Sequence, residues 1–340
     1  MRRGDVGRRG RGRQLRRTGR DYPAPNRKTV RAVVIAVLAC VLAPHVTACT
    51  IPTRDERPNP APVTVTHAFG ATTVTGTPKN VVALGDQWVD AALALGVTPI
   101  ARLATPPGDP PPWRTGTLDA ARQLDATGDL AGQIAALHPD LILLDRLAAD
   151  RATYDGLAAL APTIPRDPAV SWREEITMLG TVLRETERAA DYLADYDTKL
   201  TEAVRANPGL AGKTYAATWL ASDAQLFALT EPSAVTGEVF TRLGLRLPDT
   251  LTTRPAAQGH VLLSPDDLAQ VGADLLLAGH SPGLDATYRG LPGYADLAAT
   301  RRNAVVFLSA EEIAAMEQPT ALSAVHLLDT LIPVLPSVAE

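Results

Sequence analysis

The 340-residue chain contains little cysteine and few aromatic residues. Its two cysteines, Cys40 and Cys49, cannot build the multiple-disulfide framework that holds small secreted domains together. Aromatic side chains make up 4% of the chain, whereas hydrophobic residues as a whole make up 46%. The core must therefore consist mainly of alanine, leucine and valine, and the length allows two domains or one large one.

Sequence signatures of catalysis and of resident cofactors are also missing. The chain has no G-x-S-x-G nucleophile elbow and no glycine-rich phosphate loop after a strand. The histidines beyond residue 49 do not stand at metal-ligand spacing; they are His67, His138, His260, His280 and His326. We therefore predict no catalytic residue, no metal site and no cofactor.

The N-terminus carries a net positive charge, and the rest of the chain a net negative one. Residues 1–31 carry twelve lysines and arginines and two acids, about +10, so the remaining residues carry about −14 of the net −4. A basic arm can bind nucleic acid, but here an uncharged run follows directly at residues 32–43. That run is shorter than the roughly 20 residues of a membrane span and is typical of a signal peptide. We predict a signal peptide over residues 1–48 and no nucleic-acid partner.

The second cysteine stands where this apolar segment meets a polar linker. The sequence VTAC at residues 46–49 resembles the bacterial lipobox, in which the cysteine is acylated and becomes the first mature residue. The alternative is an ordinary secretory cleavage site that happens to contain cysteine. Residues 49–62, with four prolines and mixed charge, are predicted to form a disordered tether. Cys49 would then anchor the protein to lipid at the outer face of the cytoplasmic membrane.

The body of the chain opens with patterns of an α/β fold. Residues 63–74 alternate β-branched and polar positions around a glycine, which predicts a hairpin. A short apolar strand at 80–84, a helix at 87–96 and a strand at 97–101 then predict a βαβ unit. Such a unit implies a parallel sheet.

A similar pattern occurs twice, 134 residues apart. Residues 134–144 and 268–278 both read as a helix end, a tight turn, an aspartate and a buried strand, with Asp140 and Asp274 in equivalent places. One such match can arise by chance in α/β proteins, but it suggests two lobes of similar construction.

A long helical pattern lies between the two repeats. Apolar residues recur at helical spacing over residues 171–206, and Ser171 with Glu174 forms a capping-box pattern. A single helix of this length would extend about 50 Å and act as a rigid strut. The alternatives are a surface helix within one domain, or two helices broken near Gly180.

These segments, in this order and behind a lipobox, resemble the class III substrate-binding proteins of ABC importers. They are most similar to the ferric-siderophore-binding lipoproteins of actinobacteria. The segments that carry the resemblance are residues 63–101, 134–144, 171–183, 263–277 and 317–335. The resemblance implies two Rossmann-like α/β lobes joined by a long rigid α-helix, with the ligand cleft between the lobes. The boundaries expected are 63–168 for the N-terminal lobe, 169–207 for the connecting helix and 208–340 for the C-terminal lobe.

The resemblance also implies a function. We expect a ferric siderophore as ligand and an ABC permease in the membrane as partner. The alternatives are a haem- or cobalamin-binding protein of the same fold, or a lipid-anchored two-lobed α/β enzyme.

Candidate ligand-binding residues follow from the rule that open α/β sheets bind ligands beyond the carboxyl ends of their strands. Arginine pairs with oxygen anions, and aromatic side chains supply flat contact area for an iron chelate. The alternative for each candidate is packing in a lobe or a solvated surface. The candidates are Gln87, Trp88, Arg102, Trp113, Arg114, Arg146, Trp219, His280, Tyr288 and Gln318.

Finally, the resemblance implies one acidic residue on each lobe that pairs with arginines of the permease. On the C-terminal lobe Asp266 stands where the acid is expected. On the N-terminal lobe Gly132 occupies that place, and Asp129 is the nearest substitute. The alternative role for Asp266 is stabilisation of a helix N-terminus.

The lipobox interpretation predicts the fate of a Cys49→Ser variant. Without the thiol the protein should leave the membrane fraction or stay unprocessed, because no atom remains for lipid attachment. Membrane fractionation and intact mass spectrometry measure both outcomes. Cys40→Ser is the matched control, since Cys40 leaves with the signal peptide. A Cys49→Ser protein that stays membrane-bound and correctly cleaved would contradict the prediction.

Overall fold

The computed structural model describes residues 60–103, 111–114, 118, 120–145, 150–231 and 234–340, except the side chains of 234–236. The predicted signal peptide, Cys49, most of the tether and Arg146 lie outside the described residues. The described part contains one two-stranded hairpin and two five-stranded sheets.

The N-terminal lobe is built on a parallel sheet of order β5-β4-β3-β6-β7, preceded by the antiparallel hairpin β1-β2. The central strands, VVAL and LILL, are buried at every position, as parallel strands covered on both faces require. The strands are β1 (Val63–His67), β2 (Gly70–Val74), β3 (Val81–Leu84), β4 (Ala101–Leu103), β5 (Arg122–Gln123), β6 (Leu141–Leu144) and β7 (Thr163–Pro165).

Alternate residues of these strands contribute to two different cores. Leu141 and Leu143 join the large core that continues into the C-terminal half, whereas Ile142 and Leu144 join a smaller one. The helices of this lobe are α1 (Asp86–Ala94), α2 (Leu130–Ala135) and α3 (Arg151–Ala158).

The connecting segment consists of two helices, α4 (Trp172–Leu183) and α5 (Thr186–Ala206). The predicted capping box of Ser171 and Glu174 is confirmed at the start of α4. One continuous helix is not observed, because Arg184 adopts a left-handed conformation with φ 66°. Gly180 permits the close approach of the two helices, since a Cβ there would lie 2.7 Å from the Cβ of Ala189. The break thus lies close to Gly180, and α5 remains a long strut of 21 residues.

The C-terminal lobe has a mixed sheet of order β10-β9-β8-β11-β12. The strands β8, β11 and β12 run parallel, while β9 is antiparallel to both of its neighbours. The strands are β8 (Tyr215–Ser222), β9 (Gln225–Leu229), β10 (His260–Leu263), β11 (Leu275–His280) and β12 (Val305–Leu308). The helices are α6 (Ala234–Arg242), α7 (Asp249–Thr252), α8 (Asp285–Arg289), α9 (Ala298–Arg301), α10 (Ala310–Glu317), α11 (Ala321–Leu331) and α12 (Leu335–Ala339).

The repeated aspartates have the same structural role in both lobes. Asp140, just before β6, accepts hydrogen bonds from the backbone N–H groups of Lys79 (2.8 Å) and Asn80 (2.9 Å), just before β3. Asp274, just before β11, accepts from the backbone N–H of Thr214 (2.9 Å), just before β8. Each carboxylate therefore joins the starts of the two central parallel strands, which explains the sequence repeat.

The chain ends on an apolar helical segment that packs into the core. Ala321–Ala339 is the one helix in the described part long and apolar enough to cross a membrane. Its residues Leu328, Leu331 and Leu335 are completely buried in the large core. In this structure the segment is therefore a core element.

A buried polar cluster fixes this segment to the N-terminal lobe. We call it the Asp90 cluster; it comprises Asp86, Asp90, Trp113, Arg114 and Thr320. Asp90 is 0% exposed and accepts hydrogen bonds from the Trp113 indole N–H (2.9 Å), the Arg114 Nε–H and the Thr320 hydroxyl. Arg114 also pairs with the carboxylate of Asp86. The cluster thus joins α1, the 112–114 turn and the start of α11.

The two charges at its centre depend on each other. Burial raises the pKa of Asp90, while Arg114 and the other donors act against that rise. Burial alone would lower the pKa of Arg114, but its hydrogen bond and charge pairing with Asp90 outweigh this and raise it. Removing either partner would leave the other poorly compensated in the core.

Asp90→Ala should therefore lower the free energy of unfolding by about 3 kcal/mol or more, because it leaves the Arg114 guanidinium buried with one fewer anion. Urea unfolding followed by circular dichroism measures the change. Asp155→Ala, which removes an exposed pair with Arg151, is the control and should leave stability nearly unchanged. Equal effects of the two substitutions would contradict this role for the Asp90 cluster.

A second buried carboxylate predicts a pH dependence of stability. Glu175 on α4 is 3% exposed and pairs with Arg166. Burial raises its pKa from 4.5 to about 7; Arg166 opposes this, and Asp145 and Asp167 reinforce it. The Glu175 carboxyl group ionises at lower pH in the unfolded chain than in the folded protein. The free energy of unfolding therefore falls as the pH rises from about 4.5 to 7. The loss amounts to about 3 kcal/mol over this window.

In Glu175→Gln this contribution should vanish, so stability between pH 5 and 7 should fall less than in the unmodified protein. Urea titrations at half-unit pH steps measure it. Identical pH profiles for the two proteins would contradict the assignment.

Candidate functional site

A cavity of about 600 Å³ lies in the C-terminal lobe. Its floor is the face of β8 and β9, one wall is α10, and the other wall is the turn that leads into β10. The lining is mostly apolar, and its principal residues are Ala217, Trp219, Phe227, Leu229, His260, Ile313, Met316 and Glu317. This volume falls within the range of small-molecule sites.

The register of the sheet explains why the cavity lies there. Trp219 is paired with Phe227 on one side and with Gly279 on the other, so all three positions face the same side of the sheet. A Cβ at Gly279 would lie 2.4 Å from the Cγ1 of Ile313, so the glycine allows α10 to pack directly on β11. The helix covers β11, and the Trp219–Phe227 surface is left open to the cavity.

One ion pair closes the rim of the cavity. His260 Nε2 lies 3.0 Å from Glu317 Oε1, which links the start of β10 to the end of α10. The other ring nitrogen, Nδ1, lies 3.0 Å from the carbonyl oxygen of Gln258. Both ring nitrogens of His260 therefore lie within hydrogen-bond distance of an oxygen atom.

Of the residues predicted from the sequence, Trp219 is the one that lines this cavity. It stands inside β8 and not after its end, because the strand extends to Ser222, beyond the predicted limit at residue 219. Gln318 is exposed and follows the lining residue Glu317. Contact between Gln318 and a ligand stays a prediction.

His280 lies on the opposite face of the sheet. It follows Gly279 in β11, so its side chain points away from α10. Its Nδ1 lies 3.1 Å from the carbonyl oxygen of Ser281, and its ring lies 6.0 Å from that of Phe307. The structure does not bring His280 together with Trp219.

Two N-terminal candidates lie at the carboxyl side of the parallel sheet and are half-buried. Gln87 lies in the first turn of α1, directly beyond β3. Arg102 lies in β4, and its Nε is buried without a hydrogen-bond partner among the described residues. Contact of Gln87 or Arg102 with a ligand stays a prediction. Arg146 lies outside the described residues.

Three candidates are buried in this structure, as their alternative role of packing within a lobe requires. Trp88 is 1% exposed and packs in the large core from the inward face of α1. Arg114 is 3% exposed and belongs to the Asp90 cluster. Tyr288 is 0% exposed, and its hydroxyl lies 2.5 Å from that of Thr218. The strand-end rule places these residues near the carboxyl edge of a sheet. It does not tell which of their side chains point into the core.

Trp113 also has a structural role. Its indole N–H donates to Asp90, and its ring lies 5.4 Å from that of His326, beside a void of about 10 Å³. It does not line the larger cavity. Trp113 is half-buried, and its contact with a ligand stays a prediction.

The predicted docking acids are both exposed. Asp129 caps α2 by accepting a hydrogen bond from the backbone N–H of Gly132 (2.9 Å). A Cβ at Gly132 would lie 2.2 Å from Asp129 Oδ2, so the absence of a side chain at position 132 leaves room for this cap. Asp266 lies in the first turn of the 3-10 helix Pro265–Val271, as its alternative role requires. Docking to a permease stays a prediction for both residues.

Sequence reasoning missed Phe227 and the ion pair of His260 with Glu317. The strand β9 was not predicted, and no spacing in the sequence relates positions 260 and 317. Within the described ranges, no group of three or more histidine, cysteine or acidic residues is arranged to hold a metal ion.

Comparisons with known proteins place this geometry in a family. A family model described as periplasmic binding protein matches residues 118–312, more than half of the chain. A periplasmic solute-binding protein structure from Mycobacterium smegmatis is 30% identical with a TM-score of 0.65, covering 82% of this chain and 99% of that one. The structure of Staphylococcus aureus SirA complexed with staphyloferrin B is 21% identical with a TM-score of 0.61, covering 80% and 98%.

Curated relatives align over shorter stretches. The probable siderophore-binding lipoprotein YfiY of Bacillus subtilis is 28% identical over 145 residues, 41% of this chain and 44% of YfiY. The ferric enterobactin-binding periplasmic protein FepB of Escherichia coli is 26% identical over 230 residues, 64% of this chain and 71% of FepB. The chain thus matches less than half the length of YfiY. The predicted two-lobed α/β fold with its connecting helix is confirmed, and the chain belongs to the periplasmic binding protein family.

Proposed function

We propose that this protein is an extracytoplasmic solute-binding lipoprotein of an ABC importer, which binds a ferric siderophore and delivers it to the permease. The cavity of about 600 Å³, with the Trp219 indole on its floor, is the observation that carries the proposal. The names of YfiY and FepB and the staphyloferrin B complex of SirA support this ligand class.

Binding in this site would rest on apolar contact over the sheet face. The side chains of Trp219 and Phe227 offer aromatic surface to one side of a chelate, and Ile313 and Met316 offer aliphatic surface to the other. Burial of such surface contributes about 25 cal/mol for each Å². The N-terminal lobe would contribute the half-buried Arg102, since a guanidinium pairs with oxygen acceptors.

Delivery would depend on the anchor and on the exposed acids. Lipid on Cys49 and the tether behind it would keep the protein close to the membrane, which raises its effective concentration at the permease. Asp129 and Asp266 would pair with arginines of the permease from the two lobes. The role is one of binding without catalysis, and the iron enters as part of the cargo.

Substitution of the cavity floor tests the proposal. Trp219→Ala should weaken siderophore binding about tenfold to a hundredfold, because the ligand loses most of one buried aromatic contact. Isothermal titration calorimetry is the measurement, with ferric siderophores of hydroxamate, catecholate and carboxylate type, haem and a corrinoid.

Leu160→Ala is the control, since Leu160 is an exposed apolar residue that does not line the cavity. It should leave the affinity unchanged. The proposal fails if no siderophore binds at micromolar concentration. Tight binding of haem or corrinoid alone would favour those ligands instead.

A further inference from the structure

We infer that Gln258 is a specificity-determining residue of the cavity, and that its side-chain carboxamide forms hydrogen bonds with a polar group on the organic part of the ligand. This inference rests on the proposed function and adds one residue to the same site. It follows from the turn that carries Gln258 and from the partners of the other polar side chains in the cavity.

Gln258 lies in a tight turn at the rim of the cavity. Ala257 and His260 exchange two backbone hydrogen bonds, of 2.9 and 3.1 Å, so Gln258 and Gly259 form a two-residue hairpin loop. Both central residues have positive φ, 54° for Gln258 and 79° for Gly259. A loop of this kind strongly prefers Asn-Gly, Asp-Gly or Gly-Gly, because left-handed backbone disfavours most other side chains.

The fold explains the glycine of this turn but not the glutamine. The carbonyl oxygen of Gly259 accepts hydrogen bonds from the backbone N–H (2.8 Å) and the hydroxyl (3.0 Å) of Thr230. A Cβ at Gly259 would lie 2.9 Å from the carbonyl oxygen of Glu231, so a side chain does not fit there. At position 258, glycine or asparagine would adopt the same backbone at a lower cost. Strained residues of this kind persist where the side chain serves a function.

The polar side chains of the cavity show what that function is. The Thr218 hydroxyl lies 2.5 Å from the hydroxyl of the buried Tyr288, and His260 contacts Glu317. Gln258 is exposed to solvent and contacts His260 through its backbone carbonyl oxygen alone. Its carboxamide makes no hydrogen bond to another residue in the described part of the chain. The donors and the acceptor of this group are therefore available to a ligand in the cavity.

A carboxamide at this place complements the apolar floor. The surface of Trp219 and Phe227 offers contact area but little direction, whereas a few polar groups at an apolar pocket fix the orientation of the ligand. The carboxamide is uncharged and offers two N–H donors and a carbonyl acceptor. This set matches the amide and hydroxyl groups in the organic part of a chelator.

Two substitutions at position 258 test the inference on the full-length lipoprotein purified in detergent. Gln258→Gly removes the carboxamide and fits the left-handed turn. It should raise Tm by about 1–3 °C while it weakens ligand binding about threefold to tenfold. Gln258→Asn keeps a carboxamide on a residue that this turn tolerates, and it should recover part of the lost affinity. Thermal unfolding and isothermal titration calorimetry measure the two effects.

His138→Gly is the matched control. His138 is also an exposed non-glycine residue with positive φ, 48°, but it lies in the N-terminal lobe and does not line the cavity. Its substitution by glycine should leave the affinity unchanged. Equal losses of affinity in the two glycine variants would contradict a specific role for Gln258.

The probes are ferrichrome, ferric enterobactin, ferric staphyloferrin B, haem and cyanocobalamin, and the variants are compared on the probe that binds the unmodified protein most tightly. Binding as tight in Gln258→Gly as in the unmodified protein would overturn the inference and leave the proposed function intact. Weaker binding together with a lower Tm would assign Gln258 to the stability of the turn and would overturn the inference as well. If none of the probes binds, the proposed function fails and the inference fails with it.

Discussion

The buried carboxylate of Asp90 is the constraint on which the arrangement of this molecule depends. It accepts hydrogen bonds from Trp113, Arg114 and Thr320, which lie up to 230 residues away in the sequence. A charge in this position is tolerated only when its partners hold fixed positions. The start of α11 is thereby fixed against the N-terminal lobe, and α10, which directly precedes it, forms the wall of the cavity.

The cavity forms because α10 covers only part of one face of the C-terminal sheet. Gly279 allows α10 to lie directly on β11, and the adjoining surface of Trp219 and Phe227 has no helix above it in the described part. The contact between His260 and Glu317 then closes the rim. A mostly apolar cavity with a few polar groups at its rim is typical of small-molecule sites.

Much of the fold could be predicted from the sequence because its signals are local. The burial of VVAL and LILL, the capping box at Ser171 and the repeated aspartates at 140 and 274 each depend on a few neighbouring residues. The break at Arg184 and the strand β9 were harder to predict, since both are decided by tertiary packing.

The site was predicted least well. Trp88, Arg114 and Tyr288 follow strands as the rule requires, but their side chains turn inward. His260 and Glu317 meet through long-range packing that no spacing reveals.

The central claim is that a ferric siderophore binds on the Trp219–Phe227 surface of the C-terminal lobe. Anomalous diffraction at the iron edge, from crystals of the protein grown with a ferric hydroxamate siderophore, tests it most directly. We expect one iron peak over Trp219, between α10 and the turn that leads into β10. An iron peak remote from Trp219, or an empty cavity beside a bound chelate, would contradict the account.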